Sequence, residues 1–273
     1  MEVDWPSSDA LVAGGEYEAY AEVYDILFAS LDQDTGFYER CAAESVPSGG
    51  VILEVGVGTG RLTGRLLDAG YRAVGVDASA PMLSRAQAQL TGYGDRCRLV
   101  HADVRSMQLG ESFRLAVAPY GMVAHLLTDE DRLAAFRHVH DHLEPGGVFV
   151  FDDSPAWLAP ASDDTRLEVW REGRDPATGH QVRLMSNAIR AADVRYSVRY
   201  DIIDWREADG RVARRRVVRV VFRNIDLADE LSLLHQAGFE RVELLGGFDG
   251  RAFDRDQLTA NQRLVARCQR AAA

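Results

Sequence analysis

The sequence predicts a doubly wound α/β protein whose sheet is mostly parallel and carries an antiparallel β insertion after its fifth strand. Three observations carry this. Val51–Val55 is a short apolar run rich in β-branched residues, suited to a strand buried on both faces, and it leads through Gly56, Gly58 and Gly60 into a helical pattern that starts near Arg61. Strand-like and helix-like stretches then alternate to about residue 152. From Trp157 to Arg223 the period falls to two, with Tyr196, Val198, Tyr200 and Ile202 on one strand face and Arg195, Arg199 and Asp201 on the other.

In chain order, residues 1–15 are polar, contain Pro and Gly, and are expected to be mobile. One helix is expected over Glu16–Leu31, where Tyr20, Val23, Tyr24, Leu27 and Phe28 recur at helical spacing. Val23, Leu27 and Phe28 read as packing, whereas Tyr17, Tyr20 and Tyr24 either pack or touch ligand, because a buried phenol needs a partner for its hydroxyl. A second helix is expected over Thr35–Ser45, and Pro47–Gly50 breaks the chain before the central strand.

After that strand the glycines allow a sharp turn and let a ligand lie against main chain, while the following helix points its amide dipoles at it. Leu62, Leu66 and Leu67 bury that helix and Gly70 ends it. The spacing is G-x-G-x-G, with Arg61 where a dinucleotide fingerprint would place its third glycine, so a pyrophosphate is disfavoured. Asp77 ends the next strand about twenty residues on, where a carboxylate can accept both hydroxyls of a ribose. No G-x-x-x-x-G-K-[ST] run occurs, which argues against an NTPase.

Ser79 caps the next helix with Pro81 in its first turn and Met82, Leu83, Ala86 and Leu90 inward. Arg98–His101 forms a third strand that ends at Ala102-Asp103, and Leu115–Ala118 forms a fourth. The loop Pro119–Leu126 leaves the carboxyl end of that strand beside the glycine loop, so its residues should face the reacting atoms. His125, with an unperturbed pKa near neutrality, is the candidate general base, and Tyr17 is placed with it as catalytic. His138, His140 and His142 do not share one helical face and read as helix surface and loop, not as a metal site.

Thr128 caps a helix with Leu133, Phe136, Val139 and Leu143 inward, and Pro145–Gly147 turns into strand five at Val148–Phe151. Arg166–Glu172, Gln181–Ile189, Arg195–Trp205 and Arg211–Arg223 should form a four-stranded antiparallel meander. In the last of these Arg215, Arg219 and Arg223 share a face, read as solvated. Leu227–Gln236 is a helix with Leu227, Leu231 and Leu234 inward, and Val242–Leu245 and Arg263–Cys268 are the last strands, joined by a loop over 246–261. The expected divisions are 1–50, 51–155, 156–225 and 226–273.

The chain has 273 residues, 47% hydrophobic and 27% charged, as in globular proteins. A net charge of −11 opposes nucleic-acid binding, whose affinity comes largely from neutralising phosphates. No apolar stretch is long enough to span a membrane and the acidic start is no signal peptide, so a cytoplasmic location is expected. Cys41, Cys97 and Cys268 are too far apart for a disulfide framework or a metal spacing.

Four segments together resemble the class I S-adenosylmethionine-dependent methyltransferases: Glu54-Val-Gly56-Val-Gly58-Thr59-Gly60, Asp77, Ala102-Asp103-Val104 and Leu143-Glu-Pro-Gly146-Gly147-Val-Phe-Val. The resemblance implies a Rossmann-like, seven-stranded fold and S-adenosyl-L-methionine as cofactor. It places the cofactor on the backbone of Gly56, Gly58 and Gly60, on Asp77, and on Asp103 and Val104, which would accept from and donate to the adenine. Ala78, Met82, Pro119, Tyr20 and Tyr24 complete the expected cofactor site, with Glu54 orienting the loop. The β insertion resembles that of sugar-amine N-methyltransferases and glycine N-methyltransferase-like enzymes, where it lids or floors the acceptor pocket; the alternative is that it serves only as the surface of a homodimer. A small-molecule acceptor is expected, with an amine slightly favoured over O- or C-methylation. The rival classes are a non-catalytic cofactor-binding protein and a dinucleotide-dependent oxidoreductase.

Overall fold

The computed structural model describes residues 16–28, 30–153, 167–189, 195–224, 226–254 and 263–272. The expectations for 1–15, for the start of the insertion and for most of the loop after 254 lie outside the described residues.

Helices α1 (Glu16–Tyr20), α2 (Tyr24–Phe28) and α3 (Thr35–Ser45) precede the central strand β1 (Val51–Val55). There follow α4 (Arg61–Asp68), β2 (Arg72–Asp77), α5 (Ala80–Leu90), β3 (Cys97–His101) and β4 (Phe113–Ala118). Then come a 3-10 turn at Met122–His125, α6 (Asp129–Asp141) and β5 (Leu143–Asp153). The insertion is β6 (Glu168–Arg174), β7 (Gln181–Ile189), β8 (Tyr196–Arg206) and β9 (Val212–Arg223), and α7 (Leu227–Gln236), β10 (Phe239–Leu245) and β11 (Leu264–Arg270) end the chain.

The main sheet has seven strands in the order β10-β11-β5-β4-β1-β2-β3, and β11 alone runs antiparallel to its neighbours. Strand order reverses at β1, so the crevice beyond the carboxyl ends of β1 and β4 is where an open α/β sheet binds ligands. Both faces of β1 are buried, Leu53 and Val55 in the core under α6 and α7, Ile52 in the core under α3 and α4. The second sheet, β6-β7-β8-β9, is wholly antiparallel. It packs on α1 and α2, where Tyr20, Val23, Leu27 and Phe28 meet Val182, Leu184, Ile203, Trp205, Val218 and Val220 in a core of their own.

Several local expectations change. Glu16–Leu31 is not one helix but α1 and α2, separated by a turn at 21–23. The carbonyls this break frees find distant donors: Arg216 donates to the Ala19 oxygen and Arg85 to that of Glu22 at 3.0 Å. Pro145–Gly147 does not turn between elements. It lies within β5, where the pairing with β4 shifts register between Phe113 and Leu115. In α7 the buried face includes Glu230, Leu233 and Leu234, and Glu230 accepts from the buried Arg132 of α6. Arg223 is likewise buried, donating to Asp129 of α6, so it departs from the solvated face expected of it. His142, which follows the helix, is buried: Nδ1 bonds the His138 carbonyl at 2.6 Å, which leaves Nε2 to accept from the Leu109 amide at 3.0 Å.

Candidate active site

One cavity lies over the carboxyl ends of β1, β2, β3 and β4; counting its open mouth it measures about 1180 Å³. Its floor is the turn after β1. The Gly56 and Val57 amides donate to the Val76 carbonyl at 2.8 and 3.0 Å, which bends the chain across the end of β2. Gly58 sits at φ 56°, and a Cβ there would project into empty space, so bare main chain faces the cavity at that point. Gly60 differs. It does not line the cavity, and a Cβ on it would meet Leu90 at 2.7 Å, so this glycine serves the close approach of α5 to α4.

Asp77 is oriented by two backbone amides, Gly58 donating to Oδ2 and Ser79 to Oδ1, each at 2.8 Å. Burial raises its pKa and the amides oppose that rise. Each oxygen keeps a lone pair, so the carboxylate can accept two neighbouring hydroxyls. Glu54, also in the wall, is buried and pushed up to about 8 by desolvation, against the Thr63 hydroxyl that donates to it. Arg61, which follows the glycines, lines the cavity and forks onto Asp34 at 2.7 and 2.6 Å.

At the β2–β3 end the lining is Ala78, Ser79, Met82, Ala102, Asp103, Val104 and Arg105. Asp103 lines the cavity already paired with a cation. Arg105 grips both its oxygens, with Nε at 2.9 and 3.0 Å, and holds its pKa below the usual carboxylate range. The same guanidinium reaches Asp131 at 2.8 Å.

At the β4 end Pro119, Tyr120, Met122, His125 and Leu126 meet Glu16, Tyr17 and Tyr24 from the amino-terminal helices. Tyr17 Oη lies 2.7 Å from Nε2 of His125. His125 Nδ1 is buried with no hydrogen-bond partner among the described residues, and Glu16 Oε1 stands 3.9 Å from it. The expectation of a near-neutral imidazole is corrected here, since burial and the neighbouring charge of Arg199 push its pKa down to about 3. His125 is therefore neutral throughout the physiological range. Burial also raises the Tyr17 and Tyr24 phenols. Tyr20 is a second correction: it does not line the cavity, and its hydroxyl donates to Asp201 of β8.

Sequence reasoning missed Glu16, Arg61, Arg105 and Tyr120. Tyr120 lies in the loop already singled out, but nothing local shows that its backbone adopts φ 60°, the one positive φ among the described non-glycine residues. Among the described residues no three His, Cys, Asp or Glu side chains converge as metal ligands.

The cavity suits a nucleoside sulfonium, with unobstructed backbone at Gly58 for its close approach and the Asp77 carboxylate in the lining for its sugar. Residues 52–147 match a family model described as a methyltransferase domain. The chain is 28% identical over 246 residues to a dTDP-3-amino-3,4,6-trideoxy-alpha-D-glucopyranose N,N-dimethyltransferase of Streptomyces venezuelae, covering 85% of this chain and 94% of that relative. It is 29% identical over 160 residues to the cypemycin N-terminal methyltransferase of a Streptomyces species, covering 58% of this chain and 64% of that one. The fold matches the CcbJ methyltransferase of Streptomyces caelestis with a TM-score of 0.75 at 24% identity, over 94% of this chain and 98% of the other. Together with the four motifs and the cavity they line, these matches identify residues 52–147 as an S-adenosylmethionine-dependent methyltransferase domain.

Proposed function

We propose that the chain transfers a methyl group from S-adenosyl-L-methionine to an amino group on a small acceptor of the amino-sugar kind. The observation that carries this is the pairing of the orphaned Nδ1 of His125 with the Glu16 carboxylate, 3.9 Å apart. In the tautomer we assign to the acceptor-bound protein, Nε2–H donates to the Tyr17 oxygen and Nδ1 bears a lone pair. Two acceptors side by side match an amine, which offers two or more N–H donors, better than a hydroxyl, which offers one. The relationship to the Streptomyces venezuelae N,N-dimethyltransferase supports the same reading.

Residues at the two ends of the cavity divide the work. Asp77 and the main chain at Gly56 and Gly58 hold and orient the cofactor, which when bound supplies a methyl group already activated on a sulfonium. Glu16 and His125 align the acceptor nitrogen so that its lone pair points along the line of transfer. Alignment contributes on the order of 7–11 kcal/mol to such a reaction. The nitrogen enters as a free base and bonds to the methyl carbon as the carbon–sulfur bond breaks. The excess proton on nitrogen then leaves to solvent or to Glu16. Neutral His125 holds the nucleophile and does not store the proton.

Mass spectrometry of reactions with S-adenosyl-L-methionine and paired aminodeoxy and hydroxy sugars tests the proposal. Methylation of the amine alone is expected, and transfer to the hydroxyl sugar alone would sink the amine reading. Calorimetry adds a check on the cofactor, because preference for NAD would end the methyl-transfer reading altogether.

A further inference from the structure

The insertion sheet turns one face to α1 and α2, and the middle of that face is apolar. Val182 and Leu184 of β7, Ile203 and Trp205 of β8, and Val218 and Val220 of β9 are buried there in one cluster. The two-residue period of a strand puts Asp201 and Arg199 on the same face as Ile203, with Ser186 directly opposite Asp201 on β7. This polar patch lies at the end of the face where Phe222 of β9 meets His125. Asp201 is fully buried in it.

The Asp201 carboxylate accepts from three side chains: the Tyr20 hydroxyl of α1, the Ser186 hydroxyl of the neighbouring strand, and Arg199 Nε at 2.9 Å. Two of these donors lead to His125 by separate routes. Tyr20 stands three positions from Tyr17 on α1, with ring centres 6.0 Å apart, and Tyr17 Oη lies 2.7 Å from His125 Nε2. Arg199 is held between two rings, its guanidinium carbon 4.7 Å from the centre of Trp170 and 4.8 Å from that of Phe222. Phe222 in turn packs on the His125 ring at 5.0 Å. Contacts on two sides of the imidazole therefore trace back to one carboxylate.

A buried carboxylate costs desolvation, and a buried ion pair is often no more stabilising than apolar residues of the same volume. Ile203, two positions along the same face, packs in the cluster with α1 and α2 without that cost. What an apolar residue cannot supply is direction. Three donors converging on two oxygens fix where the Tyr20 phenol and the Arg199 guanidinium lie. We infer that Asp201 is a positioning residue for methyl transfer, which fixes the His125 imidazole against the acceptor through Tyr20 and Tyr17 on one side and through Arg199 and Phe222 on the other. The role rests on the amine reading in what it serves, since Glu16 and His125 are the groups that hold the acceptor there.

Heteronuclear NMR of the full chain, labelled on its histidines and carrying S-adenosyl-L-methionine, tests this in wild type, Asp201→Asn, Tyr20→Phe and Arg199→Gln. His125→Gln identifies the signal, and Val182→Ala, which removes buried volume from the same sheet face but from neither route, is the control for lost stability. Asp201→Asn leaves one acceptor oxygen for three donors. It and the two single-route variants are expected to displace or double the His125 ring signals, while Val182→Ala leaves them in place. Movement in only one of Tyr20→Phe and Arg199→Gln supports Asp201 acting by that route. Unchanged signals in both, or equal movement in Val182→Ala, overturn the role, and these variants decide the matter if Asp201→Asn fails to fold. Turnover of an aminodeoxy sugar adds a second check. Asp201→Asn should lower kcat about tenfold with a smaller change in KM, yet less than about twofold when His125 is already alanine, because both routes then end on a missing ring. The same loss in both backgrounds overturns the role. If wild type methylates no aminodeoxy sugar, the amine reading fails instead and the spectra alone decide on Asp201.

Discussion

Tyr17 Oη and His125 Nε2 lie 2.7 Å apart, and this contact ties the first helix of the chain to the loop that follows β4. The Tyr17 and His125 rings meet edge to face at 4.9 Å, so the phenol both fixes and shields the imidazole.

A neutral, buried His125 should not titrate in the working range of the enzyme. With its pKa pushed down to about 3, the pH dependence of kcat between 6 and 8 should come from the acceptor amine. His125→Ala should lower kcat by about 10²-fold through lost alignment, and by the same factor at both ends of that range. A loss that grows steadily with pH would restore the imidazole as a titrating base.

Glu54 should make the cofactor-free protein sensitive to alkali. Its folded pKa of about 8 lies above the ordinary carboxylate value of about 4.3. Its protonated form favours the fold; that contribution is fully present below the unfolded value and is lost as pH rises through the folded one. Glu54→Gln, which cannot ionise, should match wild type in Tm near pH 4 and exceed it by roughly 5 °C at pH 9. Differential scanning fluorimetry across that range would measure the gap.

Gly58 and Gly60 should fail in different ways. A Cβ at Gly58 meets nothing in the cofactor-free protein, so Gly58→Ala should cost only the left-handed strain of about 1–2 kcal/mol while weakening S-adenosyl-L-methionine binding by about tenfold or more. Gly60→Ala drives a methyl into Leu90 and should destabilise more, with cofactor affinity falling less than at Gly58. Urea melts beside calorimetry would reveal whether the two effects separate.

If Asp103 takes the adenine amino group, as the resemblance implies, Arg105 should compete for it. Arg105→Ala removes the fork from both carboxylate oxygens and should tighten S-adenosyl-L-methionine binding a few-fold, whereas Asp103→Ala should weaken it. Equal weakening in both variants would mean that Arg105 holds Asp103 in its binding pose.

What could be read from the sequence was local. The bounds of α3, β7 and α7 coincide with the expected Thr35–Ser45, Gln181–Ile189 and Leu227–Gln236, because caps and periodicity within each segment define them. The motif order that pointed to a cofactor likewise needs only strand ends and glycines. What escaped depends on partners far along the chain. The break after α1 relies on Arg216, Tyr20 turns to Asp201 some 181 positions away, and Gly60 answers to Leu90. The low pKa of His125 comes from burial and from Arg199, on a strand of the other sheet. No window on the sequence contains those neighbours.

The amino-terminal helices share a hydrophobic cluster with the insertion strands, and among the described residues Met82 is the only member of that cluster drawn from the main sheet and its flanking helices. A molecule entering or leaving between that cluster and the main sheet would have to break the Tyr17–His125 and Arg223–Asp129 contacts and the small cluster of Leu127 with Val198 and Val221, leaving the main sheet intact. Opening of this kind draws on the weaker fraction of a protein's stability. The pace of turnover would then be set at the seam between those bodies, and substitutions there, far from the methyl group, would alter how fast product escapes.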